Sequence, residues 1–276
     1  MNEFELKQLH SLLLVIACEI DRICRVNDIK YSLWAGTLIG AVRHRGFIPW
    51  DDDFDIAMPR DDYNRFLQIA QKELKEEFGI ISINNKKKYG YGFAKITLKG
   101  TNIEQIGNKN GKNLEIWVDI FPYDRVPDSK IKRFIQNKKN YFLMKLLEEK
   151  YDGLYGRAST IKKLSFGLLH LLNYIIDEEK AKKSLDKNMM KYENENTSYI
   201  TCISSPYGYI KEMLLSNYFE KLEEYEFEGC KFLGFANYND YLSQIYGDYM
   251  VLPPEEKRHI HNLVIHDFGP YIKKDE

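Results

Sequence analysis

Residues 33–59 read LWAGTLIGAVRHRGFIPWDDDFDIAMP, and the fold turns on how this stretch divides into elements. Residues 31–34 read as a short strand and residues 35–43 as a helix entered through a glycine. Residues 44–49 form a turn, residues 54–58 a second strand, and Pro59 takes the early helical position that proline favours. Side chains alternate faces along a strand. Phe54 and Ile56 therefore point to a core, while Asp53 and Asp55 share the opposite face, with Asp51 near the start of the strand. Two carboxylates on one face repel unless a cation lies between them. Mg²⁺ suits that place, because it takes a few carboxylate oxygens together with substrate phosphates. Acidic runs are more often solvated turns, but this one leads straight into an apolar strand.

Two weaker features flank it. Gly36-Thr37 opens the helix after the first strand, and helix N-termini present N–H groups suited to phosphate. Taken alone, a glycine there signals only a turn. Val118-Asp119-Ile120 lies in the apolar segment 115–121, the strongest strand of the middle of the chain. A carboxylate between core residues is costly unless paired or bound to metal. An ion pair with Lys or Arg, a third metal ligand, and a base beside the metal all remain open for Asp119.

Working outward, Leu6, Leu9, Leu13, Ile16, Ile20 and Ile23 step by three and four, giving one face of a helix that ends near residues 27–28. The helix opened by Pro59 is expected to run to about Phe78, followed by strands at 80–83, 91–98 and 101–106. Residues 129–192 read as helical with a Gly/Tyr-rich break at 151–156. Two or three short strands are expected at 218–235 and a helix at 237–246, with a polar tail at 259–266. The class is α/β (α+β), a mixed sheet flanked by helices. It forms one composite unit: a core at 1–127, a helical insertion at 128–215, and strands, helix and tail at 216–276 packing on the core.

Of 276 residues, 40 are Lys or Arg and 41 Asp or Glu, a net charge of -1 that argues against a general nucleic-acid binder. Hydrophobic residues at 44% and aromatics at 14% exclude an acidic disordered chain. The neutrality is an average of segregated patches: residues 51–62 hold six Asp against one Arg, and residues 84–112 seven Lys against one Glu. No apolar run approaches the roughly 20 residues of a membrane span. The greasiest stretch, 164–176, reads first as a buried helix; flanking Lys162, Lys163 and Lys180 support a membrane-surface contact as the lesser reading. Residues 1–7 have no basic run of a secretory signal. Cys18, Cys24, Cys202 and Cys230 show no C-x-x-C spacing and read as reduced thiols in a cytoplasmic protein.

A helix-opening Gly-Thr, then Asp-x-Asp on one strand, then a single Asp on a later strand resembles the nucleotidyltransferase superfold of polymerase-beta-like enzymes. That family usually has Gly-Ser or Gly-Gly in the first motif, so Thr37 is a mild departure. Residues 33–59 as a whole look like the signature of the LicD family of phosphocholine transferases, whose relatives include fukutin-related sugar-phosphate transferases. Residues 93–95 (FAK), 117–123 (WVDIFPY) and 246–258 (YGDYMVLPPEEKR) support the resemblance, while residues 128–215 match nothing and are assigned to acceptor specificity.

The resemblance implies transfer of phosphocholine, or a similar phospho-alcohol, from CDP-choline or a related CDP- or CMP-linked donor. The acceptor is a hydroxyl of a cell-surface glycan or teichoic acid, and CMP is released. It implies metal ligands at Asp53, Asp55 and Asp119, with Asp51 beside them, for Mg²⁺ or Mn²⁺ as two ions; one Asp can also serve as base, and Asp119 is the choice if it is not fully committed to metal. Arg43 and His44 precede the Asp run and are candidate phosphate contacts, as is Lys95 on its strand, where an ion pair is equally expected. Arg258 is expected near phosphate, on a tail folded over the site. Histidines 259 and 261 make a poor zinc site without nearby cysteine. Choline is a quaternary ammonium, which aromatic faces attract, and Trp50 and Tyr91 are the better-placed rings. The location implied is cytoplasmic, at most peripheral to the inner face of the membrane. Two other functions remain as alternatives: nucleotidyl transfer from an NTP with release of pyrophosphate, and a catalytically silent glycan-binding scaffold.

Overall fold

A computed structural model describes residues 1–157, 159–258 and 263–272. The chain begins with α1 (Glu3–Val26), whose first turn is closed from both sides. The Asn2 side chain accepts the Glu5 N–H at 2.9 Å, and the Glu5 carboxylate accepts the Asn2 N–H at 2.8 Å. Its buried face carries Leu9, Leu13, Ile16, Ile20 and Ile23, as the spacing predicts. Next come β1 (Ser32–Leu33), α2 (Ala35–Ile39), β2 (Asp55–Pro59) and α3 (Arg60–Glu73). The expected helix at 35–43 is present, but its second half, Gly40–His44, widens into a π-turn, which Arg45 ends in a left-handed conformation (φ 55°). Gly40 is required there: a Cβ would lie 2.5 Å from the Gly46 carbonyl oxygen.

α3 stops earlier than its sequence suggests. Leu74 is extended, and Phe78 begins β3 (Phe78–Ile81) instead of ending a helix. Antiparallel pairing with the next strand claims this segment, Phe78 standing opposite Leu98. That next strand, β4 (Ala94–Gln105), merges the two strands expected at 91–98 and 101–106. It bends at Gly100 (φ 82°), where its register against β5 (Leu114–Val126) shifts.

The helical segment is present, but the break expected at 151–156 narrows to Gly153. α4 (Lys130–Asp152) ends at left-handed Gly153, and α5 (Leu154–Arg157), α6 (Thr160–Leu172) and α7 (Glu178–Met189) complete it. The reading of residues 164–176 as a buried helix is corrected: Leu164, Leu168 and Leu171 are exposed, and only Leu169, Leu172 and Ile176 pack inward. β6 (Tyr199–Thr201) and β7 (Leu214–Leu215) are short edge strands, held by backbone pairing and too brief to show a pattern. β8 (Leu222–Phe227) and β9 (Cys230–Phe235) form a separate hairpin before α8 (Tyr238–Tyr246). Part of the expected polar tail is instead β10 (Leu263–Asp267), which pairs with the far half of β4. Histidines 259 and 261 lie outside the described residues.

The main sheet runs β1-β2-β5-β4-β10, with β3 also on β4 and β6 on β5. Only the β2–β5 pair among these is parallel, so the sheet is mixed. One face carries fully buried Ile56, Met58, Val118, Ile120, Ala94 and Ile96, in the core shared with α1 and α3. A second core joins Leu143, Leu146, Leu147, Leu185 and Met189 of the helices to Val126. All four cysteines are unbonded thiols, and Cys18 Sγ lies 3.6 Å from Cys230 Sγ.

Candidate active site

The parallel register places Asp55 of β2 directly opposite Asp119 of β5, and the antiparallel register places Lys95 of β4 opposite Asp119. Carboxylate, carboxylate and ammonium thus stand in one row across three adjacent strands. They lie on the face opposite Ile56, Ile120 and Ile96, because alternation leaves them no other. Lys95 Nζ is 2.7 Å from Asp119 Oδ1, and Trp117 Nε1–H donates to Asp119 Oδ2 at 3.1 Å. The Lys95 ammonium also lies 4.0 Å from the centre of the Trp117 ring and 5.3 Å from that of Phe93. The ion pair expected for Lys95 and that expected for Asp119 are one and the same.

The helix opening is stapled to this row through the backbone of Asp55. The Asp55 N–H donates to Thr37 Oγ1 at 2.9 Å, and the Trp34 N–H donates to the Asp55 carbonyl at 3.0 Å. Gly36 lies equally close, since a Cβ there would stand 3.0 Å from Asp51 Oδ2. The Asp119 N–H donates to the Phe54 carbonyl at 3.1 Å, fixing the two strands beside the Asp run. Asp53 and Asp55 are both half-buried, and their neighbours Asp52 and Phe54 are buried.

The charges are strongly felt at Asp55. Although part of the residue meets solvent, its carboxyl is withdrawn from water. That withdrawal first, and then the charges of Asp53, Asp119 and Asp51, push its pKa well above the usual carboxylate range; Lys95 pulls it back. Among the described residues no three His, Cys, Asp or Glu side chains converge as a ready-made metal cage. The donor chemistry nevertheless suits a hard divalent cation. The charges of Asp51, Asp53 and Asp119 all reach the Asp55 carboxyl, and Lys95 lies in the same row.

The remaining sequence candidates divide. Tyr91 is at the site's aromatic border: its ring is 5.3 Å from Phe93, which continues to Phe121 at 4.4 Å and Trp34 at 4.2 Å. Its hydroxyl is bound by Asp152 from the end of α4. Trp50 is covered by the chain's own cation, with the Arg258 guanidinium 4.2 Å from the ring centre. The C-terminal segment therefore does fold back, and Arg258 reaches the residue beside Asp51. Arg43 turns elsewhere. It donates to the Tyr249 carbonyl and, at 2.9 Å, to His44 Nε2, so this pair ties the π-turn to the segment after α8. Burial lowers the pKa of both, and Arg43 lowers that of His44 further.

Four further side chains have no role in the sequence reading. Tyr207 and Tyr246 bond through their hydroxyls, and both feel the charge of Asp55. Tyr207 faces Trp34 at 6.1 Å and comes from a stretch without a motif. Buried Glu212 accepts from the hydroxyls of Tyr123 and, at 3.0 Å, Ser205, while Trp34 Nε1–H donates to Tyr123 at 3.1 Å. Burial pushes Glu212 up to about 7. His10 is a further contact, its Nε2 lying 2.7 Å from the Asp51 carbonyl. Tyr207, Glu212 and His10 give no local signal, because each is brought in by tertiary packing; Tyr246 opens the segment 246–258 that the sequence does single out.

A Gly-Thr helix opening against a strand Asp, with a second Asp facing it, is the arrangement of a nucleotidyltransferase-like phosphotransferase. Residues 28–150 match the family model described as LicD/FKTN/FKRP, nucleotidyltransferase domain. The chain is 34% identical over 266 residues to the lipopolysaccharide cholinephosphotransferase LicD of Haemophilus influenzae, covering 95% of this chain and 98% of that protein. An uncharacterized Rickettsia typhi protein is 56% identical over 43 residues, 16% of this chain and 14% of its own. An uncharacterized Rickettsia prowazekii protein is 32% identical over 102 residues, 37% of this chain and 35% of its own. The chain belongs to the LicD family, and it is a phosphotransferase.

Proposed function

We propose that the enzyme transfers phosphocholine from CDP-choline to a hydroxyl of lipopolysaccharide and releases CMP. A teichoic-acid precursor is the second acceptor of the same chemistry, and other phospho-alcohols are the alternative head groups. The observation that carries this reading is the similarity to the Haemophilus influenzae cholinephosphotransferase, which extends through the helical segment as well as the sheet.

The acceptor oxygen attacks the phosphorus of phosphocholine, forming one P–O bond while the P–O bond to CMP breaks. CMP leaves with the electron pair, and the hydroxyl proton passes to a carboxylate of the row, assigned to Asp119. Mg²⁺ or Mn²⁺, as two ions held by Asp53, Asp55 and Asp119 with Asp51 alongside, would supply charge compensation for the diphosphate. Lys95 balances Asp119 without donor, and its ammonium stands beside the row where a phosphate oxygen needs neutralising. Gly36 and Thr37 keep the helix opening close to the Asp cluster. Tyr91 and the ring row behind it offer faces to the head group; Trp50 is engaged by Arg258. Residues 128–215 are assigned to the acceptor.

The test is incubation with CDP-choline, Mg²⁺ and lipopolysaccharide, following CMP. Acceptor-dependent CMP release that stops on chelation of the metal is expected. Pyrophosphate release from an NTP would assign nucleotidyl transfer instead, and ligand binding without turnover would assign a silent scaffold.

A further inference from the structure

The first half of α4 is inverted. Its inward positions are polar: Gln136 and Asn140 are buried and bonded to Asn188, at 2.9 Å to its carbonyl and 2.7 Å to its amide. Its outward positions are apolar. Ile131 is 74% exposed, Phe134 61%, Ile135 58% and Tyr141 60%, at helical spacings that share one side. Exposed Lys130, Lys132, Lys138 and Lys139 are interleaved with them, and no Asp or Glu occurs between Asp128 and Glu148. α6 and the turn after it repeat the pattern. Leu164 is 87% exposed and Ile175 82%, Lys162 and Lys163 are exposed, and residues 153–176 contain no carboxylate.

We propose that these outward faces of the helical segment dock the enzyme on an anionic phospholipid surface. The charge pattern selects this occupant. A second copy seated face to face would bring lysine rows together, with exposed carboxylates only at the borders, at Asp128 and Asp177. A bilayer surface of anionic lipid instead takes the apolar side chains among its acyl chains and the ammonium groups at its phosphates. The contact is peripheral, since no helix among the described residues is long and apolar enough to cross a membrane. The inference stands apart from the identity of donor and acceptor.

Sedimentation of the whole chain with vesicles tests it. Binding to phosphatidylcholine vesicles containing phosphatidylglycerol, but not to phosphatidylcholine alone, is expected, and it should weaken with added salt. The double variants Phe134→Glu/Ile135→Glu and Lys138→Glu/Lys139→Glu should each reduce the bound fraction about ten-fold or more. Their thermal unfolding should match that of the parent, since all four side chains are exposed. No binding to the anionic vesicles, or binding that both variants retain, overturns the proposal. So does a dimer in solution that the Phe134→Glu/Ile135→Glu chain cannot form, which would make this face a protein interface.

Discussion

The sheet and the helical segment break the inside–outside rule in opposite senses. In the sheet, carboxylates stand on a strand face where apolar residues would be stable, and register gathers them. In the first half of α4, glutamine and asparagine are inside while isoleucine and phenylalanine face out. Each region gives up some self-sufficiency, and each departure points to what the region meets: a phosphate-bearing donor in one case, a lipid surface in the other. In the polar interior of α4, Gln136 is bonded at both ends of its amide, since it also accepts the Tyr209 hydroxyl at 2.7 Å, while the buried Asn140 Nδ2 has no partner among the described residues.

The acidic row answers first to substitution at Asp55. Asp55→Asn should lower turnover by about three orders of magnitude, an effect of roughly 4 kcal/mol on the barrier. Its melting temperature should be equal or slightly higher, because a repelling charge is gone. Full activity in that variant would remove the row from catalysis. Lys95→Met comes next: it leaves Asp119 uncompensated beside Asp55, and should cost about 2 kcal/mol of stability together with most of the activity. A chain that melts as before would mean the ammonium contributes nothing to holding the carboxylates together.

Glu212 makes stability depend on pH. Its folded pKa of about 7 lies above its ordinary 4.5, so the folded chain holds the proton more tightly than the unfolded one. Stability is therefore fully present below about pH 4.5 and is lost as pH rises toward about 7. The loss approaches roughly 3 kcal/mol. Glu212→Gln should flatten that slope in urea titrations run from pH 5 to 8; an unchanged slope assigns the pH dependence elsewhere. Glu193, pushed up to about 7 mainly by burial, acts in the same sense and keeps the slope from vanishing. The smallest effect is at Gln136. Gln136→Ala, which orphans the Tyr209 hydroxyl, should cost about 1–2 kcal/mol by the same titration, with donor-dependent turnover largely kept.

Much of the sheet was legible because its signals are local. The alternation of Phe54 and Ile56 with Asp53 and Asp55 specifies both a strand and its faces. The pairing of Asp55 with Asp119 was not legible, because a parallel register between distant strands leaves no local mark. Asp119 and Lys95 could be singled out separately, yet only the β4–β5 register joins them. Helix α3 was drawn too long because the pairing of Phe78 with Leu98 outweighs any continuation past Glu73. The exposed side of α6 is not legible in the sequence, because composition reports greasiness and not the direction in which it faces.

The parallel β2–β5 pair also has a consequence for the order in which the chain folds. β4 and β5 are hairpin neighbours, so Lys95 and Asp119 meet by closing a short loop. β2 must arrive from beyond α3 and β3, a non-local step of the kind that slows folding. It also arrives carrying Asp53 and Asp55 toward a carboxylate already in place. That step brings like charges together, offset in part by the Lys95 ammonium already paired with Asp119. Divalent cations or added salt should speed refolding at that stage by screening them, so that the ion proposed for turnover would also help the site to form.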